Sequence, residues 1–203
     1  MIAALYVERG GVYWDLPDVD PWDEQRDARL YAGPWPVVAH PPCGPWSALR
    51  HLYRGAEHDC APLALEAVRK WGGVLEHPRR SKFWPHAGLP APGEPPDKHG
   101  GWSLEIDQCA WGHVARKPTW LYLVGVEPAM VVPRTGGTPT HWCSGSRGKS
   151  SRRGAPVPPG IKVCSAQQRR RTPPAFAQWL VDLAWTVEKS YVSPLAHVRR
   201  TSY

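Results

Sequence analysis

A chain of 203 residues is long enough for one globular domain and too short for two large ones. Its 24 Pro and 19 Gly, beside 12 Trp and only 2 Phe, predict a compact, loop-rich domain and exclude a disordered polymer. No apolar run reaches the roughly 18 residues of a transmembrane helix, so no membrane partner is expected. The amino terminus lacks the features of a signal peptide, and we expect a cytoplasmic protein with five reduced cysteines.

Positive charge is concentrated in one part of the chain. Residues 1–127 contain 13 Lys and Arg against 16 Asp and Glu, whereas residues 128–181 contain 9 Lys and Arg and no acid. Such a basic stretch is typical either of a solvated loop or of a surface that contacts phosphate. We expect an α/β catalytic core over 1–127, a basic segment over 128–172, and a carboxy-terminal helix and tail over 173–203 that pack on the core.

The amino-terminal part predicts a hairpin and then a short helix. Runs of β type at residues 2–7 and 12–16 are separated by a short turn that contains Gly10 and Gly11, which predicts a β-hairpin. Residues 20–32 predict a helix, with Asp20 able to cap it.

The central part predicts a strand–helix–strand unit. An apolar run at 36–39 predicts a strand, residues 61–71 have helical spacing, and residues 74–76 predict a second strand. Such a crossover makes the two strands parallel neighbours. Cys43 and Glu76 would then lie at the carboxyl ends of adjacent strands, where open α/β sheets bind ligands. We therefore expect a thiol and a carboxylate in one crevice.

The rest of the chain predicts a loop, two strands and a final helix. Residues 79–104 are rich in Pro, Gly and Lys, and residues 105–111 and 119–124 predict strands. After the basic segment, residues 175–189 predict an amphipathic helix.

A thiol beside a carboxyl group suits addition to an aromatic heterocycle. Cysteine is a strong nucleophile once its thiolate is favoured, and a helix predicted to begin near Ser47 would favour the thiolate through its dipole. A carboxylic acid can protonate or hydrogen-bond a ring nitrogen. The pair fits addition to carbon 6 of a pyrimidine, after which carbon 5 can attack an electrophile. The alternative is that Cys43 is a small buried hydrophobe and Glu76 a cap.

Four short segments resemble DNA cytosine carbon-5 methyltransferases, in the order of that family. Residues 40–47 resemble its Pro-Pro-Cys-x-x-x-Ser loop, and residues 74–78 resemble its Glu-Asn-Val or Glu-Asn-Pro strand end, with His77 in place of Asn. Residues 108–119 are similar to the Gln…Tyr-Gly…Lys-Pro-Thr segment of small phage-type members, and residues 171–176 to the Arg-x-Ile-Pro segment before the last helix. The layout suggests a phage or prophage protein in a bacterial host.

The resemblance implies a role for individual residues. Cys43 would attack carbon 6 of cytosine, Glu76 would act at ring nitrogen 3, and Arg116, or else Lys117, would hold the base carbonyl or an adjacent phosphate. Arg116 and Lys117 could equally be a surface pair before a strand. The DNA partner would present a flipped or single-stranded cytosine, because a base inside a duplex is out of reach. The other expected substrate contacts are Pro42, Ser47, Thr119, Arg152, Arg153 and Arg171.

The donor of the transferred group stays open. The resemblance implies S-adenosylmethionine, held by a first strand, a Phe-x-Gly-x-Gly loop and a helix. Few residues precede the strand at 36–39, and no Gly-x-Gly follows the first strand. We therefore expect a reduced Rossmann-like, methyltransferase-type sheet, with Asp20 and Asp27 as candidate cofactor contacts, although Asp20 could equally be a helix cap.

Other chemistries fit the sequence less well. A zinc nucleobase deaminase needs His-x-Glu and Pro-Cys-x-x-Cys, which do not occur, and the motifs of thymidylate synthases are missing. A structural zinc site would have to use Cys109 with His113 or His141 with Cys143, and we expect no metal. Two functions remain: a DNA cytosine carbon-5 modifying enzyme, or a catalytically silent relative that binds DNA through the basic segment and tryptophans.

Overall fold

The computed structural model describes residues 1–48, 50–57, 59–143 and 159–187, and its centre is a mixed six-stranded sheet. In chain order the strands are β1 (Ile2–Leu5), β2 (Val19–Trp22), β3 (Val37–Ala39), β4 (Gly73–Pro78), β5 (Trp102–Asp107) and β6 (Pro118–Val124). Their order in the sheet is β2-β1-β3-β4-β6-β5. The strands β1 to β4 are mutually parallel, whereas β6 is antiparallel to its neighbours β4 and β5.

One long helix covers each face of this sheet. Helix α1 (Cys60–Trp71) packs on one face and helix α4 (Pro174–Trp185) on the other. Successive residues of a strand point to opposite faces. Accordingly Leu75 of β4 belongs to the core cluster of α1, while the preceding Val74 belongs to the cluster of α4.

Shorter elements complete the described part. Helix α2 (Phe83–Ala87) follows β4, and the strands β7 (His141–Trp142) and β8 (Lys162–Val163) form a separate parallel pair. Helix α3 (Ala166–Arg170) follows β8 directly, and its amino terminus is fixed by a capping box between Ser165 and Gln168. Within the described residues, no helix is long and apolar enough to cross a membrane.

The α/β class and the central crossover are confirmed. The predicted strand–helix–strand unit is β3–α1–β4, and β3 pairs in parallel with β4 through Val37–Gly73, Val38–Val74 and Ala39–Leu75. Strand β6 and helix α4 also lie where the sequence places a strand and a final helix.

The predicted amino-terminal hairpin is wrong. Residues 12–14 form a single 3-10 turn, and β1 pairs in parallel with β2, which overlaps the start of the predicted helix 20–32. Asp20 does not cap a helix, because its carboxylate accepts a hydrogen bond from Trp22 Nε1 at 2.8 Å and pairs with Arg26. Gly10 and Gly11 therefore lie in a parallel connection and not in a hairpin turn.

The strand predicted over 105–111 is shifted towards the amino terminus. β5 ends at Asp107, whose carboxylate accepts a hydrogen bond from the backbone N–H of Cys109 at 3.0 Å. This side-chain cap turns the next residues, Gln108–Trp111, into a 3-10 helix.

Gly73 permits the close approach of β3 and β4. Its φ is +120°, and a Cβ at this position would overlap the backbone of Val37. Backbone atoms cannot move aside as a flexible side chain can, so Gly73→Ala is expected to reduce the free energy of unfolding by about 3 kcal/mol or more. Urea denaturation measures the loss. The control is Gly100→Ala, whose φ is +68° with open space around it, and which should lose only about 1 kcal/mol. Equal losses would contradict this role of Gly73.

Candidate active site

Cys43 and Glu76 meet at the carboxyl edge of the parallel strands. Cys43 lies in the loop that follows β3, while Glu76 lies near the end of β4. The Cys43 residue is exposed, whereas Glu76 is buried. Burial of the thiol group, and then the negative charge of Glu76, raise the pKa of Cys43. The two predicted groups thus lie at the same edge of the sheet, which we refer to as the crevice.

A hydrogen-bond network fixes the Glu76 carboxylate. Its Oε2 lies 3.1 Å from His40 Nδ1, and its Oε1 accepts a hydrogen bond from Gln108 Nε2 at 3.0 Å. The second nitrogen of His40, Nε2, lies 2.6 Å from the hydroxyl of buried Tyr13. Two residues from separate parts of the chain, His40 and Gln108, therefore hold the carboxylate directly, and Tyr13 supports it through His40.

The Glu76 side chain is an ionised carboxylate at neutral pH. Burial alone would raise its pKa, but the hydrogen bond with His40 and the positive charge of Lys117 lower the pKa of Glu76 to about 2. An ionised carboxylate does not donate a proton to a ring nitrogen. It instead accepts hydrogen bonds from an amino group or from a ring nitrogen that already carries a proton.

Tyr13 and His40 are site residues that the sequence predictions do not include. The sequence signal for His40 is its position immediately before the Pro-Pro-Cys loop. The sequence offers no signal for Tyr13, because residues 12–16 predict a strand. Burial, followed by the charge of Glu76, raises the pKa of Tyr13, so its hydroxyl stays neutral and can hold the imidazole. Both ring nitrogens of His40 have partners, which leaves no nitrogen to act as a base for Cys43.

The expected activation of Cys43 by a helix dipole is not found. In the described part of the loop the cysteine is followed by two 3-10 turns, Gly44–Trp46 and Arg50–Leu52, and the short row of peptide dipoles in such a turn is too small to favour the thiolate. Partial burial and the charge of Glu76 raise the pKa of Cys43, while Lys117 and Arg170 act in the opposite direction. The thiol is therefore the resting form in the free protein.

Lys117, and not Arg116, is the cation of the crevice. Its charge lowers the pKa of both Cys43 and Glu76. Arg116 instead forms an ion pair with Asp107, at 3.1 Å between Nη1 and Oδ2, and is mostly exposed. Arg170 of α3 was not predicted, and it contributes a second positive charge at Cys43.

The other predicted substrate contacts divide into three groups. Thr119 is fully buried, accepts a hydrogen bond from Gln108 and donates one to the Lys117 carbonyl, so it is a core residue and not a substrate contact. Pro42 and Ser47 are half-buried in the loop of Cys43, and Arg171 is exposed at the end of α3. Arg152 and Arg153 lie outside the described residues.

Neither predicted cofactor contact lines the pocket found at the ends of the first two strands. Asp20 is bound by Trp22 and Arg26, while Asp27 pairs with Arg29 at 2.7 Å and caps a 3-10 turn. A pocket of about 370 Å³ does lie beyond the carboxyl ends of β1 and β2. Its lining consists of Val7, Glu8, Arg9, Asp23, Glu24 and Gln25.

The two pairs considered for zinc have other contacts. His113 Nδ1 lies 2.8 Å from the Ala115 carbonyl, and its Nε2 lies 3.1 Å from the Gln168 carbonyl. His141 Nδ1 lies 2.9 Å from the Thr140 hydroxyl. Across the described parts of the chain, no three His, Cys, Asp or Glu side chains are grouped so that they could hold a metal ion.

The proximity of Cys43, Glu76 and Lys117 predicts opposite effects of two substitutions. Glu76→Gln removes a negative charge and should lower the pKa of Cys43, whereas Lys117→Met removes a positive charge and should raise it. The pH dependence of Cys43 alkylation by iodoacetamide, followed by peptide mass spectrometry, measures both shifts. Arg116→Met is the matched control, because Arg116 pairs with Asp107, and it should shift the pKa less than Lys117→Met. Shifts of one sign in both variants would contradict the described crevice.

Comparison with protein-family models, curated proteins and solved structures found no match. The function is therefore inferred from the crevice itself. Its elements are an exposed thiol, a buried ionised carboxylate held by Gln108 and His40, and the nearby charges of Lys117 and Arg170.

Proposed function

We propose that this protein is a methyltransferase-like enzyme that modifies carbon 5 of cytosine in DNA. The observation that carries the proposal is the β3–α1–β4 crossover, which places Cys43 and the ionised Glu76 in electrostatic contact at one edge of the sheet. A nucleophilic thiol and an acceptor of ring hydrogen bonds are the two groups that addition to a cytosine ring requires.

The topology supports a reduced Rossmann-like sheet. Strand β1 lies between β2 and β3. The chain therefore adds β2 on one side of β1 and then adds β3 on the opposite side. In open α/β sheets, ligands bind outside the carboxyl ends of the strands where the order reverses in this way. His40 lies at this position, directly after β3, and fixes Glu76 there.

The proposed reaction begins with a bond between Cys43 Sγ and carbon 6 of cytosine. The electron pair of the carbon 5–carbon 6 double bond becomes available at carbon 5, which forms a bond to the transferred group as the bond between that group and its donor breaks. The proton of the Cys43 thiol passes to ring nitrogen 3, and Glu76 accepts hydrogen bonds from the 4-amino group and from this protonated nitrogen. Loss of the carbon 5 proton to water and cleavage of the sulfur–carbon bond then restore the ring, and the proton on nitrogen 3 returns to the cysteine.

Substrate binding would itself activate the thiol. In the free protein, burial of the thiol and then the charge of Glu76 raise the pKa of Cys43. When Glu76 pairs with a protonated ring nitrogen, that negative charge is compensated, while the positive charges of Lys117 and Arg170 remain. The thiolate is then more favoured with cytosine in place than without it, which limits reaction with other electrophiles.

S-adenosylmethionine is the donor that the resemblance implies, and it would supply the methyl group. The pocket beyond β1 and β2 fits its chemistry: Arg9 can pair with a carboxylate, and the Glu8 and Glu24 side chains can accept hydrogen bonds from ribose hydroxyls. Calorimetric titration with S-adenosylhomocysteine tests this assignment. Binding that weakens in Glu24→Ala would support S-adenosylmethionine as the donor. If the folded protein does not bind S-adenosylhomocysteine, the donor is a different molecule.

Mass spectrometry of nucleosides from DNA of cells that express the chain tests the function. We expect a modified deoxycytidine, heavier by one methyl group if S-adenosylmethionine is the donor, and absent from cells that express Cys43→Ser. Another mass increment would identify another transferred group. Unmodified deoxycytidine in cells that contain folded protein would contradict the enzymatic proposal.

A second candidate is a silent relative that binds DNA without modifying it. It is favoured by the raised pKa of Cys43 and by the partners that both Glu76 oxygens already have. It predicts salt-sensitive DNA binding that survives Cys43→Ala and weakens when Arg169, Arg170 and Arg171 are replaced by Gln. Binding with this pattern, together with unmodified DNA, would favour this second candidate.

A further inference from the structure

The strands β7 and β8 place two cysteines side by side. Their register pairs His141 with Lys162 and Trp142 with Val163, so the next residues on the two strands are Cys143 and Cys164. The backbone N–H of Cys164 donates a hydrogen bond to the Trp142 carbonyl at 2.9 Å. Neighbouring strands lie about 4.8 Å apart, which is within the Cα separation of roughly 4.4–6.8 Å that disulfides span.

The two thiols also interact directly. Their side chains are within hydrogen-bonding reach, and this contact, after burial, raises the pKa of Cys143. Cys143 is half-buried and accessible to a small reagent, whereas Cys164 is buried. The other cysteines lie on different elements: Cys43 in the crevice loop, Cys60 in α1 and Cys109 in the turn after β5.

We propose that Cys143 and Cys164 are a thiol–disulfide modification site, which a low-molecular-weight disulfide such as oxidised glutathione converts into an intramolecular bond. The thiolate of Cys143 attacks one glutathione sulfur, and one glutathione thiolate leaves. Cys164 then attacks Cys143 Sγ in the mixed disulfide and releases the second glutathione. Two protein thiols are oxidised, one glutathione disulfide is reduced to two thiols, and the two protons pass to glutathione.

The bond would link two parts of the basic segment, residues 128–172. Cys164 immediately precedes Ser165, the residue that caps α3, and α3 carries Arg170, whose charge acts at Cys43. A disulfide would therefore attach the start of α3 covalently to β7. The proposed disulfide depends only on the geometry of β7 and β8, so its test is independent of the proposed enzymatic function.

The test treats the reduced, full-length protein with oxidised glutathione. Free thiols are then alkylated, and tryptic peptides are analysed by mass spectrometry without reduction. We expect residues 135–147 and 163–169 as one linked species, lighter by two hydrogen atoms than the two peptides together. The thermal midpoint should rise by roughly 5 °C or more, because the bond restricts the unfolded chain.

Single substitutions provide the controls. Cys143→Ser and Cys164→Ser should each abolish the linked species and the thermal shift, whereas Cys60→Ser should retain both. The wild-type experiment decides the matter even if a variant fails to fold. Two free thiols after treatment, a lasting glutathione adduct on Cys143, or a bond between another cysteine pair would overturn the proposal.

Discussion

Cys43→Ser is expected to abolish covalent capture of DNA that contains 5-fluorocytosine. Fluorine replaces the hydrogen at carbon 5, so once a group has been transferred there no proton can be lost, and the enzyme that added to carbon 6 remains attached to the base. A serine hydroxyl is a much weaker nucleophile than a thiolate, and we expect the yield of adduct to fall at least about 10³-fold. Denaturing gel electrophoresis of labelled DNA measures the adduct.

Because of the position of Cys43, loss of the adduct in this variant should not result from unfolding. The residue is exposed, so Cys43→Ser should change the free energy of unfolding by less than about 0.5 kcal/mol. Cys143→Ser is the matched control, because Cys143 lies at the end of β7 outside the loop that carries Cys43, and it should form the adduct at the wild-type level. If wild type and Cys43→Ser form equally little adduct, the enzymatic proposal is contradicted. The second candidate, a protein that binds DNA without modifying it, would then be favoured.

Glu76→Gln is expected to slow modification by about 10²–10⁴-fold. Glutamine is uncharged and cannot compensate the positive charge of a protonated ring nitrogen. It also loses the charge-assisted hydrogen bonds that the carboxylate makes with His40 and Gln108. The rate of methyl or other group incorporation into a cytosine-containing oligonucleotide measures the effect. A rate within about threefold of wild type would contradict the assigned role of Glu76.

The same substitution should change how stability depends on pH. The pKa of Glu76 is about 2 in the folded protein, below its ordinary value of 4.5. Its ionisation therefore stabilises the fold fully above pH 4.5, and this contribution, of about 3 kcal/mol, is lost as the pH falls towards 2. Glu76→Gln should lack that part of the acid destabilisation, whereas the exposed Glu66→Gln should retain it. Parallel stability curves for wild type and Glu76→Gln would contradict an ionised, hydrogen-bonded Glu76.

The sequence was sufficient for the central crossover because its signals there are local. The apolar run before His40, the helical spacing over 61–71 and the following Gly72-Gly73 each define one element. The geometry of parallel crossovers then requires that Cys43 and Glu76 lie at one edge. The placement of these two groups therefore followed from neighbouring residues and one rule of topology.

The remaining features depend on contacts between distant residues. β1 pairs with β2 in parallel across a connection that resembles a hairpin in sequence, and Tyr13 reaches His40 over 27 positions. The pKa of Glu76 depends on His40 and Lys117, which come from separate elements. No local pattern encodes such contacts, so neither the order of the first strands nor the ionisation of the site was predictable.

The proline in β2 has a consequence for the solubility of this protein. β2 is an outer strand of the sheet, and Pro21 in it has no N–H to offer to an incoming strand. At the opposite border, β5 carries Glu105 and Asp107, and charged side chains there oppose association between molecules. Replacing Pro21 by Val would restore a hydrogen-bond donor at this border, so aggregation by strand addition should become faster.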